Sequence, residues 1–215
     1  MFLRHPLLSS IGVEHGFGTL DSLPRQNCRT LRQVHGSKVL AFSQCSPSIT
    51  DGDGLISDGE TNEVGVWTAD CLPVLISTNS GSHVGAIHAG WRGATAGIVL
   101  EGLTRLKDQA FLQVSDLRVV LGPAIGPCCF EVGPEVWEAV HEKTPSYRQK
   151  TERVLDLWEL VTHQLLREGV PQERIGRISL CTRCHPELFY SHRGWGTRRE
   201  GRSMLNFIRS KAHDL

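Results

Sequence analysis

Apolar stretches of strand length recur along the chain with turn residues between them: KVLAF (38–42), EVGVWTAD (63–70), LPVLIST (72–78), HVGAIHA (83–89), LRVVLG (117–122) and RISLCT (177–182). Runs of this length, rich in Val, Ile and Leu, predict six or more strands. A helical period replaces them in three places: Gly93 to about Lys107, Pro134 to about His141, and about Thr151 to Glu168. In the last, Val154, Leu157, Trp158, Val161 and Leu165 recur at three- and four-residue steps and form one apolar stripe, which Gly169 and Pro171 bring to an end. Strands gather before residue 90, helices and strands mix afterwards, and the regular alternation of a doubly wound fold is missing. The expected class is α+β with mixed sheets. It is expected to form one domain over residues 1–215, because no repeat, low-complexity tract or long linker divides the chain; PRQNCRT is a short polar connection only.

Composition narrows the partners. With 23 basic and 23 acidic side chains there is no net charge to draw in nucleic acid or an anionic membrane, so a small molecule is the expected ligand. No stretch approaches the ~18 apolar residues of a membrane span, and the first residues lack the basic start and apolar core of an export signal. The expected compartment is the cytoplasm. Seven cysteines, an odd number, then read as reduced thiols rather than a disulfide framework. Since a free cysteine is by default core filler, only constellations carry chemistry.

Three stretches combine such residues with glycine: QVHG with His35, TADCLPV with Cys71, and GAIHAGWRG with His88. Two imidazoles and a thiolate make a three-ligand zinc set with a fourth position open to water or substrate. The same atoms also support a metal-free reading, with Cys71 as nucleophile, His88 as its base, and Asp70 or Gln33 orienting the imidazole. Two loop histidines and a buried thiol are the plain alternative. Arg92, between Gly90 and Gly93, is either an anion binder using its planar fork or one half of a surface ion pair.

Further along, LGPAIGPCCFEVG (121–133) carries two Gly-Pro pairs and adjacent Cys128 and Cys129, whose side chains diverge if the segment is extended. CTRCH (181–185) has the form of a haem attachment pattern, but that use goes with export, and the expected compartment is the cytoplasm. A zinc ribbon would need a second C-x-x-C, so pocket or core thiols are the expectation. FYSHRGWGTRREGRSM (189–204) places Arg193, Arg198, Arg199 and Arg202 among glycines and aromatics, with Glu187 and Glu200 as partial balance. It is a loop either presenting cations to an anionic substrate or simply solvated.

RQVHGSKV, DGDGLIS, TADCLPVLI, GAIHAGWRG, LGPAIGPCCFEVG and CTRCHPELFYSHR occur in the order seen in the laccase-domain family, and over roughly residues 12 to 208 the chain resembles it. The family is also called multicopper polyphenol oxidoreductase, YfiH-like or peptidoglycan editing factor. The resemblance implies a layered αββα fold with mixed β-sheets and a zinc site at His35, Cys71 and His88. It also implies one of several reactions: phosphorolysis of adenosine, inosine or methylthioadenosine, adenosine deamination, polyphenol oxidation, or correction of peptidoglycan precursors carrying serine. The fold is further likened to that of cysteine hydrolases. Two departures bear on the pocket. The segment of several tens of residues that usually precedes LRQVHG is missing, and the usual SYRRDG.TGR reads SHRGWGTRREGR, keeping Arg193 with longer spacing.

A multicopper oxidase holds its coppers with many histidines, typically in H-x-H pairs. Ten histidines here include no such pair, which disfavours laccase chemistry; a single copper replacing zinc stays open. Phosphorolysis needs a phosphate site, for which Arg92 and Arg193 are candidates, and Gln33 is a further substrate contact. Deamination needs a metal-activated water, with Asp70 a weak candidate proton donor. The favoured expectation is a zinc-dependent purine nucleoside enzyme with nucleoside and phosphate as partners. Amide hydrolysis on a cell-wall precursor and a zinc-stabilised, non-catalytic binding protein are the alternatives.

Overall fold

The computed structural model describes residues 1–46, 49–60, 62–149, 151, 153–195 and 202–212. Ten strands in chain order build two sheets: β1 (Phe2–Leu3), β2 (Glu14–Gly18), β3 (Val39–Ala41), β4 (Gly54–Ile56), β5 (Glu63–Thr68), β6 (Leu72–Thr78), β7 (Val84–Ala89), β8 (Leu117–Leu121), β9 (Ile175–Arg177) and β10 (Met204–Arg209). The smaller sheet, in the order β1-β2-β10-β5, is antiparallel throughout. The larger runs β3-β4-β7-β6-β8-β9, with antiparallel pairs at its centre and parallel pairs at both edges. This is the α+β class, with one antiparallel and one mixed sheet.

Phe17, Val64, Val66 and Ile208 of the smaller sheet meet Leu75, Val84, Ala86 and Val120 of the larger in one buried layer. The opposite face of the larger sheet, through Val74, Ile76, Ile87 and Val119, packs on the helices α3 (Ile98–Ala110), α4 (Pro134–Lys143) and α5 (Leu157–Glu168), which follow the short α1 (Pro6–Ser9) and α2 (Trp91–Thr95) in the chain. Every residue of β6 is buried, which is why LPVLIST reads as a continuous apolar run instead of an alternation. The outer face of the smaller sheet is covered by coil. Arg25 stacks 3.9 Å above the Phe207 ring and binds both oxygens of Glu63 at 2.6 Å, while Cys28 lies so close to Gly65 that a Cβ there would sit 2.6 Å from its Sγ. This short connection stands where the resemblance implied a longer segment. Among the described residues, no helix is long and apolar enough to cross a membrane.

Three expected elements are shifted. The helix expected from Gly93 is two: α2 (Trp91–Thr95) and α3, broken by Gly97 at φ +81°. α5 begins at Leu157 rather than near Thr151, because the Asp156 carboxylate accepts the Glu159 N–H at 3.1 Å and caps it, while Val154 bridges to Glu131. The strand expected over 177–182 lies earlier, at Ile175–Arg177, since its partner β8 stops at Leu121 ahead of Gly122-Pro123. Beyond Arg177 the Ile178 amide donates to the Leu121 carbonyl at 2.9 Å, and the Ala124–Cys181 bridge continues the parallel direction.

Candidate metal centre and substrate pocket

The antiparallel pairing of β6 with β7 sets the start of one strand beside the end of the other, with Pro73 opposite His88. Cys71 immediately precedes β6, and Asp70 at φ +87° makes the tight turn out of β5. His35, also left-handed at φ +58°, sits on the 33–37 loop. A non-glycine residue persists in that region only where its surroundings hold it. Here Asp53 holds His35: its fully buried carboxylate accepts the Val34, His35 and Gly36 amides at 3.3, 2.9 and 2.7 Å.

The same carboxylate lies 2.8 Å from His88 Nδ1, and the His88 amide donates to the Asp53 carbonyl at 2.7 Å. Nδ1 is therefore engaged and Nε2 is the ring nitrogen available to a ligand. His35 Nδ1 is 4.0 Å from Cys71 Sγ, and the two imidazoles meet edge-on with centroids 4.8 Å apart. One ligand atom from each of His35, Cys71 and His88 falls within 4.8 Å of the others. Two imidazole nitrogens, one thiolate and a carboxylate behind the buried imidazole fit a borderline-soft divalent metal with one position open.

The electrostatics agree with that chemistry. Burial pushes the Cys71 thiol up, but hydrogen bonds with His35 and His88 outweigh it and bring it down to about 7. Burial pushes His88 down, yet Asp53 and Cys71 raise it to about 9. Burial likewise opposes ionisation of Asp53, whereas bonds from His88 and the Gly36 amide hold it below the usual carboxylate range. Without a metal, and between about pH 7 and 9, these shifts favour a thiolate beside an imidazolium, backed by a carboxylate.

Glycine keeps this cluster open. A Cβ at Gly90 would stand 3.1 Å from Cys71 Sγ and 3.3 Å from His35 Nδ1, and one at Gly93 would meet the Gly36 carbonyl at 2.6 Å. The GWRG stretch therefore lets α2 pack directly on the His35 loop.

A cavity of about 580 Å³ opens over the three donors. Trp67, Trp91, Ile125 and Phe130 wall it, and the exposed Arg92, Arg193 and Arg202 line it as well. Arg92 lies over the Trp91 ring at 4.4 Å, and Arg193 over Phe130 at 5.4 Å while bonding the Glu131 carbonyl. Arg198, Arg199 and Glu200 fall outside the described residues.

Gln33 and Asp70 border the same cavity but do not orient His88. Both ends of the Gln33 amide are spent on the Trp67 backbone, at 2.8 and 2.7 Å. Asp70 turns to the other wall, where it accepts the Thr182 hydroxyl at 2.6 Å and the Arg193 amide at 2.7 Å. The orienting carboxylate is Asp53, which the sequence reading did not single out; the only signal was an aspartate set between glycines in DGDGLIS.

Comparisons with known proteins agree with this picture. The family model described as multi-copper polyphenol oxidoreductase laccase matches residues 17–211. A purine nucleoside phosphorylase of Clostridium acetobutylicum is 31% identical over 189 residues, 84% of this chain and 76% of that one. The purine nucleoside phosphorylase YfiH of Escherichia coli is 36% identical over 168 residues, 76% of this chain and 67% of its own. Among solved structures, YlmD from Geobacillus stearothermophilus superposes with a TM-score of 0.77 at 32% identity, covering 86% of this chain and 74% of that one. YfiH of Bacillus licheniformis gives 0.80 at 25% identity, covering 93% of both. The chain belongs to the multi-copper polyphenol oxidoreductase laccase family, the laccase-domain family of YfiH and YlmD.

Proposed function

We propose that this protein is a zinc-dependent purine nucleoside enzyme, cleaving inosine, adenosine or methylthioadenosine with phosphate, and that the same pocket supports adenosine deamination. The observation that carries the reading is the His35–Cys71–His88 cluster beneath a cavity with aromatic walls and three lining arginines. The names of the relatives as purine nucleoside phosphorylases support it. His35, Cys71 and His88 would hold the zinc, which when bound supplies Lewis acidity beside the substrate.

The protein's own groups do the rest. Trp67, Trp91 and Phe130 offer apolar faces to the purine. Arg92 and Arg193 offer guanidinium forks to phosphate, with Arg202 as a third cation. Asp53 positions His35 and His88. Asp70 fixes the Arg193 backbone and the Thr182 turn, which makes it a positioning residue in this reading. Gln33 ties the His35 loop to β5 along the pocket edge. Copper is the alternative occupant of the same donors. Oxidation by several coppers would need more histidines than His35 and His88, the two that the described residues bring into a metal-binding group.

The test is release of free base by the zinc-loaded protein from each nucleoside. Release that requires phosphate is the expected result; release without phosphate, or ammonia alone, would replace phosphorolysis with hydrolysis or deamination. One observation favours a second reading: Asp53, His88 and Cys71 stand in the order orienter, base and nucleophile, as amide hydrolysis by a thiol requires. Loss of activity on chelation supports the metal reading; activity that survives chelation but not thiol alkylation supports the second.

A further inference from the structure

Four of the seven cysteines converge away from the His35–Cys71–His88 cluster. Cys128, Cys129, Cys181 and Cys184 place their sulfurs within 4.8 Å of one another, and Cys184 Sγ is 3.5 Å from both Cys128 Sγ and Cys129 Sγ. The adjacent pair does not diverge as an extended segment would make it. Residues 126–130 form a turn in which the Cys129 and Phe130 amides both donate to the Gly126 carbonyl at 2.9 Å, so the two side chains share a side. A second turn, with the His185 amide on the Cys181 carbonyl at 3.2 Å, does the same for the C-x-x-C pair. The Thr182 amide on the Ala124 carbonyl at 3.0 Å docks one turn against the other. An adjacent Cys pair thus supplies what a second C-x-x-C would have supplied.

Core filling does not account for these thiols, because Cys128 and Cys184 are exposed. Nor are they arranged as disulfide pairs: all four are free thiols, and Cys184 Sγ is shared equally between Cys128 and Cys129. The spacing is close to the edge of a tetrahedron of sulfurs around zinc, roughly 3.8 Å for Zn–S bonds of 2.3 Å. Gly126 completes the setting. Its N–H donates to Cys181 Sγ at 3.2 Å, the bond a buried thiolate needs, and a Cβ there would press on Cys181 and on Cys128 Sγ at 3.2 and 3.3 Å.

We propose that Cys128, Cys129, Cys181 and Cys184 form a second metal site, a closed tetrathiolate that takes one zinc ion and fastens the wall of the pocket. Four protein ligands leave no open position, so the role is structural. The segments it joins carry pocket residues: Ile125 and Phe130 flank the first pair, and Thr182, between the second pair, holds Asp70. The site stands independently of the nucleoside reading.

The experiment is zinc stoichiometry after loading the reduced chain and removing unbound metal. The wild type should retain two equivalents, and Cys71→Ser one. X-ray absorption of that Cys71→Ser protein should show four sulfur neighbours at ~2.3 Å. Cys184→Ser should lose one equivalent, and Cys184→His, which keeps a donor, should regain it with three sulfurs and one nitrogen. A folded Cys71→Ser chain that binds no zinc, that shows nitrogen or oxygen ligands, or that holds an iron–sulfur cluster would overturn the proposal.

Discussion

Asp53 Oδ1 lies 2.8 Å from His88 Nδ1, and both side chains are out of solvent. That contact joins two parts of the site, because the same carboxylate closes the His35 loop through its backbone amides. β4 carries no metal donor of its own, yet the residue just before it orients the His88 ring and anchors the backbone that carries His35.

Asp53→Asn keeps the size of the side chain but removes the charge and one acceptor. Losing such a partner behind a metal-binding histidine weakens metal affinity about 10- to 100-fold. Zinc titration against a competing chelator should show that loss while circular dichroism stays near wild type. Unchanged affinity would mean that Asp53 serves the fold alone.

Gly90→Ala adds one methyl toward Cys71 Sγ and His35 Nδ1. The backbone at Gly90, φ −65° and ψ 164°, accepts alanine, so thermal stability should hold. Metal affinity and turnover should both fall, since the sulfur or the imidazole must move. A variant with wild-type metal binding would show that the cluster has slack.

The pH response of the metal-free protein follows from the thiolate–imidazolium pair. Because the Cys71 thiol is lowered to about 7, its contribution to stability is present at higher pH and lost as pH falls through 7. Because His88 is raised to about 9, its contribution is present at lower pH and lost as pH rises through 9. Alkylation of Cys71, followed by peptide mass spectrometry after chelation, should reach half its maximal rate near pH 7. A midpoint near that of an ordinary thiol would contradict the pairing.

Arg92→Ala and Arg193→Ala test the phosphate assignment. A charge-assisted contact of about 1.5–3 kcal/mol implies a loss of about tenfold or more in apparent phosphate affinity. The KM for phosphate should rise while the KM for nucleoside moves little. Equal effects on both would place these arginines on the nucleoside instead.

How much of this was legible in the sequence depended on the range of the signal. LPVLIST and HVGAIHA read as strands because burial on both faces leaves an unbroken apolar run. His35, Cys71 and His88 read as a donor set by residue type and motif, and the fold gathers them. Asp53 did not read, because its function rests on the pairing of β4 with β7 and on amides from a loop 17 to 19 positions earlier. β4 and β10 were missed for a related reason: one is a three-residue strand behind glycines, and the other follows a polar, Arg- and Gly-rich stretch of sequence. The four-cysteine cluster stayed hidden because Cys184 is 55 and 56 positions from its neighbours Cys129 and Cys128, and the two halves meet through tertiary contacts, the Ala124–Cys181 bridge and the Gly126 amide on Cys181 Sγ. Helix starts shifted where a side chain took over the backbone, as Asp156 does ahead of α5.

The central claim is that the His35–Cys71–His88 site carries the nucleoside reaction. The most direct measurement is hypoxanthine release from inosine by zinc-loaded wild type and Cys71→Ser, each with and without phosphate. The account predicts phosphate-dependent release by the wild type, with release and the zinc bound at this site lost together in the variant. Full release by Cys71→Ser would contradict it.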